Sequence, residues 1–153
     1  MTIWIGVDPG LRSGAIAAID HNGGFIAAED IESVGDKIDA RSLKQLILRM
    51  VPPGDDYAIC IEQVGVMPKQ GLVSSGRFMR AFGSICAVAE LSTSRVFYVI
   101  PQVWKKAMSL NSEKERSLAA ARIAFPQAKL LLKKDHGKAE ALLIAEYARR
   151  TFS

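Results

Sequence analysis

Ile3-Trp4-Ile5-Gly6-Val7-Asp8, followed at once by Pro9-Gly10, is a short apolar run that ends on a carboxylate and a turn signal. Its length and its Ile, Trp and Val content predict a buried strand, which Pro-Gly then stops. A second run of the same kind, Tyr57-Ala58-Ile59-Cys60-Ile61-Glu62, also ends on an acid. A carboxylate at the end of a buried strand is costly unless it is paired or binds a cation, so core packing accounts for neither position. A third acidic cluster, Asp135-His136-Gly137-Lys138-Ala139-Glu140, opens the last apolar periodic segment. Oxygen ligands gathered from separate elements suit Mg²⁺, with Mn²⁺ able to substitute, whereas zinc would want Cys and His.

Outward from these runs, the segments 3–8, 14–20 and 24–30 are apolar-rich and separated by turn residues, the second separator being His21-Asn22-Gly23-Gly24. Asn-Gly signals a hairpin, so the pattern predicts three consecutive antiparallel strands. Leu43, Leu46, Ile47 and Met50 recur at helical spacing and predict a helix over 40–50, stopped by Pro52-Pro53-Gly54. The strand carrying Glu62 follows. Residues 63–76, rich in glycine and small polar residues, read as an irregular functional loop. Then come a helix over 78–91 with small-residue faces suited to close approach or a dimer contact, and a strand over 95–100. Helices near 102–108, over 112–125 and from about 137 to 149 complete the chain. The expected fold is α/β: a mixed five-stranded sheet, three antiparallel strands then two further ones, flanked by helices.

At 153 residues the chain fits one domain, 1–153, and is too short for two nucleotide-clasping lobes. It is 49% hydrophobic and 24% charged, with no apolar run long enough to span a membrane and no leader pattern before the first strand, so a cytoplasmic protein is expected. Cys60 and Cys86 both lie in apolar segments and read as buried thiols. The net charge of +4 is uneven: residues 1–100 carry −2 and residues 101–153 carry +6. A basic surface beside an acidic metal site suits a polyanion whose phosphate reacts.

Asp8-Pro9-Gly10 closing the first strand, Glu62-Gln63-Val64 closing the fourth, and Ala139-Glu140-Ala141-Leu142-Leu143-Ile144-Ala145 near the end resemble the RuvC family of Holliday junction resolvases, and most of all its bacteriophage-type branch, within the ribonuclease H-like superfamily. The resemblance covers essentially the whole chain. It implies a homodimeric, divalent-metal-dependent endonuclease that acts on branched DNA by cutting two opposed strands of a four-way junction. On that resemblance Asp8 would bridge two metal ions, Glu62 would bind one, and Glu140 would be a third ligand. Asp135 is a second ligand of this cluster or a helix cap, and His136 a water-orienting or proton-transfer group. Lys105 and Lys114 fall where the family has phosphate contacts. Arg12, in the loop after Asp8, is a further DNA-contact candidate.

Two departures from the family pattern stand out. Gly137 occupies the position three before Glu140, where the family carries an acid or histidine, and Gly65 occupies the position of the bacterial junction-opening aromatic. Met67 and Phe78 are the available apolar candidates for a wedge. Three readings compete with junction resolution: a nuclease for other branched DNA, an actin-like phosphotransferase, which the length disfavours, and a non-catalytic junction-binding protein, which the retained acids disfavour.

Overall fold

The structure, a computed structural model, describes residues 1–65 and 71–153. Its main sheet is built from β1 (Thr2–Asp8), β2 (Ala15–Ile19), β3 (Phe25–Asp30), β6 (Asp56–Glu62) and β7 (Val96–Val99), in the order β3-β2-β1-β6-β7. β1, β2 and β3 are antiparallel neighbours, while β6 and β7 run parallel to β1. The hairpin expected at residues 21–24 forms: Asp20 Oδ1 accepts the amides of Asn22 and Gly24 at 2.7 and 2.8 Å, and Gly23 takes a φ of 88°. A two-stranded ribbon, β4 (Ser33–Val34) with β5 (Lys37–Ile38), follows β3 and was not expected, because two-residue strands are too short to show a period.

Helices cover both faces of the sheet, and strand alternation decides which residues meet which. Ile3, Ile5 and Val7 of β1, with Ile59 and Ile61 of β6, pack against α1 (Ala40–Met50) and α2 (Leu72–Glu90). Trp4 of β1, with Ala58 and Cys60 of β6, faces α3 (Pro101–Ala107), α4 (Lys114–Ala124) and α5 (His136–Phe152). α1 has the expected bounds and is capped by Asp39, whose carboxylate accepts from the amides of Arg41 and Ser42 at 3.1 and 3.0 Å. α2 starts at Leu72, six residues before the expected Phe78, since Ser74-Ser75-Gly76 has low helix propensity and reads as loop. Residues 66–70 of the expected loop, Met67 among them, lie outside the described residues.

α5 is buried all round from Ala139 to Ala148, as the central helix of a layered fold must be. It crosses β1 at Gly6, where a Cβ would fall on the carbonyl oxygen of Ala141 and come 2.5 Å from the amide nitrogen of Ala145. Only glycine allows this approach. No helix among the described residues is long and apolar enough to cross a membrane.

Candidate metal centre

The register Gly6↔Cys60 and Val7↔Ile61 sets the carboxyl ends of β1 and β6 side by side. Asp8 has the parity of Trp4 and Gly6, and Glu62 that of Ala58 and Cys60, so both acids project from the face that α5 covers. Glu140, in the second turn of α5, meets them there. One carboxylate oxygen from each of Asp8, Glu62 and Glu140 lies within 4.8 Å of the other two, the one group of its kind among the described residues. Glu62 and Glu140 are only 5% and 6% exposed.

Such a cluster opposes itself without a cation. Burial, then the charges of Glu140 and Glu62, holds the Asp8 carboxyl well above its ordinary range, with Lys105 and Lys114 working the other way. Burial also raises Glu62, against a hydrogen bond from Trp104. Lys105 Nζ stands 2.9 Å from Glu140 Oε1, yet this buried oxygen receives no directed hydrogen bond. An all-oxygen donor set, under mutual repulsion and with an oxygen that lacks a hydrogen bond, fits a hard divalent cation such as Mg²⁺ or Mn²⁺.

The other residues named from the sequence are distributed around this centre. Lys105, half-buried on α3, lies between Glu140 and the Trp104 ring, its Nζ 5.2 Å from the ring centroid. Lys114 opens α4 and places its Nζ 3.5 Å from His136 Nε2, while His136 Nδ1 lies 3.3 Å from the carbonyl oxygen of Lys133. Lys114, Glu115, Leu118, Lys133 and His136 line a small cleft. Asp135 is not brought to the carboxylate cluster: its Oδ2 accepts the Leu132 amide at 2.8 Å, closing the 3₁₀ turn of residues 133–135 from which α5 starts. Arg12 is exposed in the loop after β1, and Phe78 stacks on Phe82 within α2 with ring centroids 6.4 Å apart.

Sequence reasoning missed two features. Trp104 is fully buried and donates its indole N–H to Glu62 Oε2 at 2.5 Å. The available signal was general: a buried tryptophan needs an acceptor for its one donor, and this one follows a strand that pairs with the strand carrying Glu62. The tight packing at Gly137, which the sequence showed only as a departure from the family pattern, is the second. A Cβ there would come 2.7 Å from the carbonyl oxygen of Ser13 and 3.5 Å from Asp8 Oδ2, so the position faces the centre but has no room for a ligating side chain.

No protein-family model and no curated protein sequence matches this chain. Solved structures do match, among them RuvC of Thermus thermophilus in complex with a Holliday junction substrate, at a TM-score of 0.70 and 16% identity over 97% of this chain and 95% of that one, and a Thermus thermophilus RuvC structure, at 0.66 and 18% over 98% and 96%. With its mixed sheet in the order β3-β2-β1-β6-β7 and helices packed on it, the chain has the ribonuclease H-like fold of RuvC.

Proposed function

We propose that this chain is a metal-dependent endodeoxyribonuclease that resolves four-way DNA junctions, acting as a single nuclease domain and as a homodimer, and that it belongs with the bacteriophage-type RuvC enzymes of the cytoplasm. The observation that carries the reading is the convergence of Asp8 and Glu62, at the carboxyl ends of adjacent strands, with Glu140 of α5, in a chain whose C-terminal third has a balance of +6. The junction-bound RuvC of the same fold supports branched DNA as the substrate.

Asp8 on the central strand, Glu62 and Glu140 would hold the divalent cations. When bound, such cations supply Lewis acidity at a phosphoryl oxygen and make hydroxide available near neutral pH. Lys105, beside Glu140, would meet the phosphate that enters the site and offset the charge that grows there. The Lys133 carbonyl can only accept, so it suits an N–H on His136 Nδ1, with Nε2 facing Lys114 Nζ. Nothing in the cluster pairs a side-chain nucleophile with a base, so hydrolysis without a covalent intermediate is the fitting chemistry.

For the dimer, α2 offers an unpartnered face: Leu72, Val73 and Met79 are exposed, and Gly76 and Gly83 have open space where a Cβ would stand. The deciding experiment incubates the protein with a synthetic four-way junction, a fork and a linear duplex, each with Mg²⁺, Mn²⁺ or EDTA. Symmetric nicking of the junction that EDTA stops, and that Asp8→Asn lowers at least about a hundredfold while junction binding persists, is the expected result. Undiminished cutting by Asp8→Asn sinks the assignment. Light scattering on the free protein and on the junction complex tests the dimer, which a monomer in both states would contradict.

A further inference from the structure

We infer that Trp104 is a positioning residue for the metal centre: its indole N–H ties down Oε2 of Glu62, so that the other carboxylate oxygen is the one presented to a cation. The inference rests on the reading of Asp8, Glu62 and Glu140 as metal ligands.

The local chain makes the contact unavoidable. β7 pairs with β6 so that Val99 lies opposite Glu62, and the Gln63 amide donates to the Val99 carbonyl at 2.8 Å. The chain then turns at Pro101, the first residue of α3, which carries Trp104 back over the end of β6. The side chain is wholly buried between the sheet and the helices. An indole nitrogen has one hydrogen to give and no lone pair to accept with, so burial leaves it one way to be satisfied, and here the acceptor is a carboxylate oxygen at 2.5 Å.

The same ring reaches a second member of the site. Lys105 Nζ lies 5.2 Å from its centroid and 2.9 Å from Glu140 Oε1. One indole therefore holds Glu62 through its edge and steadies, through its face, the cation that neighbours Glu140. A glutamate has three side-chain torsions, and without a tether its carboxylate can swing away from Asp8 and Glu140. Partners of this kind typically change metal affinity by about 10–100-fold when removed.

The test separates the N–H from the shape of the ring. Trp104→Phe removes the donor and part of the ring; replacement by β-(3-benzothienyl)alanine keeps the bicyclic shape and puts a sulfur, which cannot donate, in place of the N–H, so it reports even where phenylalanine leaves the core underfilled. Mn²⁺ binding to the full-length protein is followed by the electron paramagnetic resonance of the free ion. Wild type and the benzothienyl variant should show the same circular dichroism, and the variant should bind Mn²⁺ about 10–100-fold more weakly. On titration with Mg²⁺ the indole N–H resonance of Trp104 should move, while that of Trp4, at the opposite end of β1 under Arg95, should stay. A folded benzothienyl variant that binds Mn²⁺ as tightly as wild type, or a Trp104 resonance indifferent to Mg²⁺ that the protein does bind, overturns this inference alone. A wild type that binds neither ion overturns the metal-centre reading and the inference with it.

Discussion

Replacing Gly6 by alanine tests the contact on which the geometry of the site depends. The added Cβ would fall on the Ala141 carbonyl oxygen and come 2.5 Å from the Ala145 amide nitrogen, where ordinary contact begins near 3.4 Å. Both are backbone atoms of the central helix, so no rotamer change relieves the clash, and α5 must retreat from β1 by about 1 Å. Overpacking of a closed interface costs about 1–3 kcal/mol, and a rigid backbone contact belongs at the upper end, about 3 kcal/mol. For a chain of this size that lowers the melting temperature by roughly 6–12 °C. Glu140 precedes Ala141 and moves with it, and a misplacement of 1 Å at a reacting centre costs about 100-fold in rate. Ile123→Ala is the control: that side chain is 84% exposed on α4, and its loss should change stability by no more than about 0.5 kcal/mol. Thermal melting of the three proteins with and without Mg²⁺, alongside single-turnover cleavage, reads both effects. A Gly6→Ala protein that melts within a degree or two of wild type and cuts at its rate would refute the claim that the α5–β1 contact sets the site.

Neutralising one carboxylate should stabilise the metal-free protein, because Asp8 and Glu62 are held above their ordinary range, chiefly by burial. A carboxyl raised in this way keeps in the fold a proton that the unfolded chain releases, so metal-free stability falls as pH rises from about 4 through the folded values. Asp8→Asn should therefore melt above wild type at pH 7 without metal, with a gap that closes below about pH 4, while Mg²⁺ should raise the melting temperature of wild type far more than that of the variant; equal melting curves across this range would contradict it. Lys105→Ala and Lys114→Ala should each lower the salt slope of junction binding by about one unit without changing sequence preference, as fluorescence anisotropy at several salt concentrations would show. Asp135→Asn should cost about 1 kcal/mol of stability and leave turnover largely intact, in keeping with a carboxylate that caps a turn; loss of cutting equal to that of Asp8→Asn would instead make it a ligand. His136→Ala should slow cleavage about 10²–10⁴-fold with Mn²⁺ binding retained, and full activity would remove it from the proton path.

Strand-level features were legible because they are periodic. Two apolar runs ending on acids, with an Asn-Gly hairpin between the next pair, were enough to expect the five-stranded mixed sheet and to put Asp8 and Glu62 at strand ends. The bounds of α1 followed from Leu43, Leu46, Ile47 and Met50. What could not be read depends on packing in the third dimension. The start of α2 is set by tertiary context that overrides a run of Ser and Gly, and the tether from Trp104 to Glu62 joins residues 42 apart that no local pattern relates. Position 137 shows the same limit from the other side. As sequence, Gly137 is a ligand missing from an expected place. In the fold it is where the first turn of α5 passes the backbone of Ser13, 2.7 Å from where a Cβ would be, with Asp8 just beyond. Close approach and a fourth side-chain ligand at this point exclude each other. The protein has the close approach, and polar groups stand at its rim: His136 one residue earlier, between Lys133 and Lys114, and Lys105 across from Glu140.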